Sequence, residues 1–358
     1  MDVLKFKIGK KIISNTSKTY FIADIAANHD GNLSRALKLI KLAAAAGADA
    51  AKFQHFKAET IVSDRGFKNL GKKISHQAKW KKSVFEVYKK ASIDFNWTKI
   101  LKTQCKKYKI EFITAPYDLE YVDKVNKFIP AYKIGSGDIT WIEIIKKIAK
   151  KKKPVIIATG ASSLNDVKRA VKIILKYNKK IVLMQCNTNY TAEDANTNYL
   201  NLNVLNQYKK IFGNKVILGL SDHTHGNNSV LGSVALGARV VEKHFTDNNH
   251  RTGPDHLFSM NPKTWKKMIK QTRILEKSLG DGKKRIEINE KLSSIVQRRS
   301  IRLNRSLKKG TKIEEKFLIY LRPCPKNGLS PYEKNKILGK KLIRNLEKEE
   351  IVNCQNTI

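Results

Sequence analysis

One unit recurs eight times between residues 20 and 244: a short apolar run, a polar residue at its end, then a stretch with helical period. The runs are Tyr20–Ala23, Ala50–Gln54, Ile110–Thr114, Ala131–Ser136, Pro154–Thr159, Lys180–Cys186, Val216–Ser221 and Ala238–His244. Short runs rich in β-branched and aromatic residues read as buried strands. The intervening segments read as helices. Asn32 is placed to cap a helix beginning at Leu33, with Leu33, Leu37, Ile40 and Ala44 on one face and Gly47 at its stop. The clearest helical pattern is Ser163–Lys176, with Val167, Ala170, Val171, Ile174 and Leu175 on one face. Parallel strands need such crossovers, and eight of them predict an α/β protein built on a (β/α)8 TIM barrel. An open doubly wound sheet is the competing arrangement, but no Gly-x-Gly-x-x-Gly follows the first run.

The polar ends sharpen this reading. Asp24, Lys52, Thr114, Lys133, Thr159, Asn187, Ser221 and His244 all fall at the C-terminal end of their strands, and in a barrel they are expected to form a ring at the mouth. Two histidines stand out. His223 follows Val216–Ser221, His244 ends Ala238–His244, and the small apolar stretch Ser229–Gly237 between them fits a helix. Neighbouring parallel strands would bring both imidazoles into one pocket, a pairing suited to a divalent metal.

Two regions lie outside the repeat. Residues 1–18 read as a short β-hairpin turning at Asn15-Thr-Ser17, so the barrel domain is expected to span 1–279. Residues 280–297 are polar, are broken by Gly280-Asp-Gly282, and read as a linker. Residues 298–358 carry short alternating runs punctuated by Gly310, Pro323, Pro325 and Gly328, and read as a compact β-rich module.

The net charge of +40 raises nucleic acid as a partner. The lysines, however, are spread along the whole chain beside Ile and Asn, without interleaved aromatics to stack on bases. Composition explains the charge better, and nucleic acid is not expected as a partner. No apolar run reaches membrane-spanning length, and Met1–Lys7 lacks the apolar core of a signal peptide. Cys105, Cys186, Cys324 and Cys354 are scattered, as in reduced thiols of a cytoplasmic protein.

Phe21-Ile-Ala-Asp-Ile-Ala-Ala-Asn-His-Asp-Gly31 resembles the opening motif of sialic acid synthases. So do Gly47-Ala-Asp-Ala-Ala-Lys-Phe-Gln54, Tyr132-Lys-Ile-Gly-Ser-Gly137, Gly219-Leu-Ser-Asp-His-Thr224, Glu242-Lys-His-Phe-Thr-Asp247 and Gly253-Pro-Asp255. The tail resembles that family's antifreeze-like (SAF) domain through Arg298-Arg-Ser-Ile-Arg302, Leu307-Lys-Lys-Gly310, Leu321-Arg-Pro323, Asn327-Gly-Leu-Ser-Pro331 and Leu338-Gly-Lys340. The resemblance runs in order over nearly the whole chain.

The resemblance implies a reaction: phosphoenolpyruvate condenses with the open-chain aldehyde of an N-acetylmannosamine-type sugar, giving a nine-carbon α-keto acid and phosphate. It implies a divalent metal held by His223 and His244, Mn²⁺ foremost with Mg²⁺ or Co²⁺ as substitutes. Lys52, Thr114, Lys133, Ser136, Thr188 and Ser221 match the phosphoenolpyruvate contacts. Asp24, Gln54, Asp138, Tyr190, Asp255 and Arg322 match sugar-side positions, with Asp24 and Asp138 as catalytic carboxylates. It also implies a domain-swapped homodimer in which each antifreeze-like domain caps the partner's site through Arg322. The chain departs from the family in three places. Asp24 and Asp138 stand where Glu is usual, Ala158 stands where Ser is frequent, and Cys186-Asn-Thr-Asn-Tyr190 scrambles the usual Thr-Asn order, so Asn187 or Thr188 could take that role. A 2,4-diacetamido sugar, as in legionaminate or pseudaminate synthesis, is the alternative acceptor. A class I aldolase with a Schiff base on Lys52 or Lys133 is the enzymatic rival.

Overall fold

In eight of the strands, side chains alternate between the inside of a closed barrel and the helices around it, and this parity decides which residues meet in the centre. The computed structural model describes residues 4–70, 77, 80 and 82–358, in two units, Met1–Gly280 and Asp281–Ile358.

In the first unit, β1 (Lys5–Ile8) and β2 (Lys11–Ser14) form an antiparallel hairpin. Its turn lies at Gly9–Lys10, with Gly9 at φ +58, and not at Asn15–Ser17, which instead connects β2 to the barrel. The turn at Gly9 is the tighter solution because glycine adopts positive φ without strain. The barrel follows as β3 (Tyr20–Asp24), β4 (Ala50–His55), β5 (Glu111–Pro116), β6 (Tyr132–Ile134), β7 (Val155–Ala158), β8 (Ile181–Cys186), β9 (Ile217–Asp222) and β10 (Val240–His244). All neighbours are parallel, and β10 closes on β3. The expected (β/α)8 TIM barrel is therefore the observed fold.

Two hydrophobic cores follow from the alternation. Phe21, Ala23, Ala51, Phe53, Phe112, Ile157, Leu183, Leu220 and Val241 face outward and pack against the helices. Tyr20, Ile22, Ala50, Ile113, Ile156, Val182, Ile217 and Val240 face inward near the strand starts, where Phe6, Ile8 and Ile13 of the hairpin join them and plug the N-terminal end. The helix Leu33–Ala45 starts as expected, with the Asn32 side chain accepting from Arg35 N at 2.9 Å. Its fully buried face, however, is Ala36, Leu39, Ile40 and Ala43, with Leu33, Leu37 and Ala44 on the flanks. The small residues let the helix lie close to the sheet. The helix Leu164–Tyr177 carries a capping box from Ser163 and Asp166 and buries Val167, Ala170, Val171 and Ile174.

In the second unit, residues 281–299 are not irregular throughout, since Lys291–Val296 forms a short helix. The antiparallel pair β11 (Ser300–Leu303) and β12 (Leu318–Leu321) follows. Lys340–Arg344 contributes isolated bridges and not a strand. A separate small core gathers Ile301, Leu303, Ile313, Ile337, Leu342, Leu346 and Val352. No helix among the described residues is long and apolar enough to cross a membrane.

Candidate active site

The inward parity that builds the apolar plug places polar groups at the other end of the same strands. A cavity of about 410 Å³ opens there, lined among others by Asp24, Lys52, Gln54, Lys133, Ser136, Asp138, Thr188, Tyr190, Ser221, His223, His244 and Asp255. Of the site residues expected in the first unit, all but Thr114 line this cavity.

The cavity has two levels. In the deeper one, Lys52 Nζ lies 2.7 Å from Asp24 Oδ2 and 3.2 Å from Glu242 Oε1, and Lys133 Nζ lies 3.2 Å from the same Glu242 oxygen. Ser221 Oγ donates to Glu242 Oε1 at 3.3 Å, whereas Glu242 Oε2 is buried without a hydrogen-bond partner among the described residues. All of these side chains are buried. Burial opposes the charge of Lys52, but Asp24 and Glu242 outweigh it and hold the ammonium above its ordinary range. Burial likewise opposes the charge of Glu242, and Lys133 and Lys52 outweigh it and keep the carboxyl ionised. Asp24 is pushed up to about 6, chiefly by burial, against the pull of Lys52. Beside this cluster, Gly160 N donates to Ser136 Oγ at 2.9 Å. A Cβ on Gly160 would overlap Thr188 Oγ1, so glycine lets two hydroxyls and a backbone N–H approach one another.

One inward step further along the strands lie the imidazoles. His223 and His244 have ring centroids 5.3 Å apart, with Tyr190 4.4 Å from His223 and Phe258 4.9 Å from His244. His223 Nδ1 lies 2.9 Å from the Asn187 carbonyl and donates to it. His244 Nδ1 is buried with no hydrogen-bond partner among the described residues, and its Nε2 is 3.5 Å from Asp24 Oδ2. Burial, then the charges of His223 and Lys52, hold His244 neutral. Asp255 Oδ2 accepts from Ala27 N at 3.1 Å and lies 3.8 Å from His244 Nδ1. Two facing imidazoles at this spacing fit a divalent ion held by His223 and His244. Among the described residues no group of three or more His, Cys, Asp or Glu side chains has metal-holding geometry, so the protein would leave the other coordination positions to substrate and water. Asp138 follows β6, in the turn Ser136–Asp138, and burial lifts its carboxyl to about 6.

Several expectations need correction. Thr114 does not face the cavity. It shares the parity of Phe112, and its hydroxyl bonds outward to the Phe53 carbonyl at 3.0 Å and to His55 Nδ1 at 2.8 Å. Thr159 also points outward, donating to the Met184 carbonyl at 2.8 Å. Asn187 Nδ2 donates to the Tyr199 carbonyl, so Thr188 and not Asn187 reaches the cavity. The expected ring of eight polar ends thus contracts to Asp24, Lys52, Lys133, Ser221 and His244. Arg322, exposed just after β12, belongs to the second unit. Glu242, Cys186 and Tyr117 are among the lining residues that the sequence did not single out for the site. Glu242 carried a legible signal, being a charged residue two positions before His244 and so of the same inward parity.

The profile of the NeuB family matches residues 39–284. The chain is 36% identical to an N,N'-diacetyllegionaminic acid synthase of Campylobacter jejuni, covering 94% of this chain and 99% of that protein. It is 34% identical to an enzyme of the same name from Legionella pneumophila, covering 94% of each. Among solved structures it is similar to an N-acetylneuraminic acid synthetase from Leptospira borgpetersenii in complex with citrate, with a TM-score of 0.70 and 27% identity over 81% of this chain and 95% of that one.

Proposed function

The chain belongs to the NeuB family and is an enzyme, a synthase of nonulosonic acids, and from that premise we propose that it condenses phosphoenolpyruvate with an N-acyl amino sugar aldehyde. The observation that carries this reading is the pairing of Lys52 and Lys133 on Glu242, one step beneath two facing imidazoles. The lysines, with the Ser136, Thr188 and Ser221 hydroxyls, suit a phosphate and a carboxylate. An arriving anion displaces Glu242 as the partner of the two ammonium groups. Asp24, Asp138 and Asp255 are acceptors suited to sugar hydroxyls. A divalent ion on His223 and His244 would polarise the aldehyde oxygen as a Lewis acid.

In the reaction, C3 of the enol attacks the aldehyde carbon, and the aldehyde oxygen takes a proton to become a hydroxyl. Water adds at C2, giving up a proton to a cavity carboxylate. The adduct then expels phosphate with its bridging oxygen and leaves the keto group. The acceptor is an N-acetylmannosamine-type sugar. A 2,4-diacetamido acceptor is the second reading, favoured by the two relatives named as legionaminic acid synthases.

The test is phosphate release from phosphoenolpyruvate with N-acetylmannosamine, its 6-phosphate and a 2,4-diacetamido sugar. Release should require one of these sugars, stop in chelator, and return on adding Mn²⁺. Label placed as ¹⁸O at the bridging position should leave with phosphate. No release across the panel, together with borohydride trapping of pyruvate on a lysine, would assign a Schiff-base aldolase instead.

The β-rich second unit is read here as an antifreeze-like cap, and the protein as a homodimer in which Arg322 enters the partner's cavity to hold a polar sugar group by a forked hydrogen bond. An Arg322→Ala chain and a Lys133→Ala chain should each be inactive and regain part of the activity when refolded together. Mixed dimers that stay dead would return Arg322 to its own subunit or remove it from the site.

A further inference from the structure

Tyr117 stands at the end of β5, where its backbone N–H donates to the His55 carbonyl at 2.9 Å. It has the same odd-numbered parity as Ile113, so the strand turns its side chain into the cavity. Ser221 spends its hydroxyl on Glu242, but the Tyr117 hydroxyl makes no hydrogen bond among the described residues. Burial, then the charges of Asp138 and Asp24, hold the phenol protonated. Among the described residues it is therefore a donor without an acceptor, lining the same cavity as the carboxylates of Asp138 and Asp24.

The surroundings of the phenol are not suited to an anion. The Phe56 ring meets Tyr117 edge-on, with centroids 6.0 Å apart and an interplanar angle of 85°. Phe56 also packs on Tyr88, at 5.5 Å, and Ile61, Val87 and Ala91 continue this wall of the cavity. The position is held by Gly135. A Cβ there would lie 3.0 Å from Tyr117 Oη and 3.4 Å from its Cε1. A donor without an acceptor among the described residues, a carboxylate lining the same cavity and an apolar wall are the three complements of a secondary amide: its C=O, its N–H and its acyl carbon.

We propose that Tyr117, Asp138 and Phe56 form a corner that reads an acylamino group of the acceptor sugar. The phenol donates to the amide carbonyl, the Asp138 carboxylate accepts the amide N–H, and the Phe56 ring covers the acyl carbon. The assignment rests on the reading that the acceptor is an N-acyl amino sugar, and it adds the group that selects such a sugar over its hydroxyl counterpart.

The experiment compares matched acceptors on the full-length protein with its metal restored. One pair is N-acetylmannosamine against mannose. The other is 2,4-diacetamido-2,4,6-trideoxymannose against its 4-hydroxy counterpart. Loss of one neutral hydrogen bond in Tyr117→Phe should lower the kcat/KM ratio by about three- to tenfold in one pair. The pair that responds identifies which acylamino group is read. Gly135→Ala keeps the phenol but displaces it, and should lower the same ratio. If Tyr117→Phe leaves both ratios at their wild-type values, or changes only KM for phosphoenolpyruvate, the corner does not read an amide. Should the wild type release no phosphate with any sugar, the reaction itself is misassigned. Calorimetric binding of N-acetylmannosamine and mannose to wild type and Tyr117→Phe then still decides the corner: an unchanged preference overturns it.

Discussion

Strands β9 and β10 carry two buried lysine–carboxylate sites, one residue apart and back to back. On the outer side, Lys243 Nζ donates to Asp222 Oδ2 at 2.5 Å and to the Thr224 carbonyl at 2.7 Å. Asp222 also accepts from Ser229 Oγ, Thr224 N and Thr224 Oγ1. Both carboxylate oxygens are bonded, and burial of Asp222 is outweighed by Lys243, which holds its pKa low. On the inner side, two lysines share one oxygen of Glu242, and the other oxygen has no partner among the described residues. The contrast separates two uses of the same chemistry. A closed network fixes β9 against β10, while an open one is incomplete until something enters the cavity.

Two substitutions break this comparison from opposite sides. Lys133→Met should lower turnover by about 10²- to 10³-fold, the cost of removing one preorganised charge from an anion site. Its unfolding midpoint should stay close to wild type, because Lys52 still neutralises Glu242. Lys243→Met should do the reverse. It strands Asp222 and should cost about 3–5 kcal/mol of stability, read from urea unfolding, while the rate per folded molecule moves far less than in Lys133→Met. If Lys133→Met unfolds the protein and Lys243→Met does not, the structural and functional roles are exchanged.

The smallest effect sharpens the parity argument. Thr114→Val removes a hydroxyl that bonds outward to His55 and Phe53. About 1 kcal/mol of stability should be lost, with KM for phosphoenolpyruvate changed by less than about twofold, well below the cost of a lost hydrogen bond to a charged group. A tenfold rise in that KM would place Thr114 back among the anion contacts.

This parity also explains what could be read from the sequence. Strand positions and the helix between each pair follow from local apolar runs, and the eight runs came within a few residues of β3 to β10. Lys52, Lys133, Ser221 and His244 were legible because each is polar within an apolar strand. Thr114 and Thr159 were misplaced because a polar strand end gives no sign of which way it faces. A one-residue difference in phase separates cavity from helix packing. Glu242 is legible by the same rule, two positions before His244, but the imidazole is the more conspicuous signal. Tyr117 lies just past its strand and reads as an ordinary aromatic until Gly135 is seen to make room for it. The hairpin turn was missed because Gly9 and Asn15-Thr-Ser17 are both adequate turn signals, and only the pairing of Phe6 with Ile13 decides between them.

The hairpin plug has a kinetic consequence. Phe6, Ile8 and Ile13 fill the barrel beneath the lysines, so the cavity is a well whose floor does not conduct. A molecule seated on Lys52 and Lys133 lies below one that touches His223 and His244. Under the proposed reaction the lower ligand must enter first, and the upper one blocks its retreat. Steady-state patterns should therefore be sequential and ordered. Phosphate, formed at the floor, should leave after the nine-carbon acid above it has cleared the mouth.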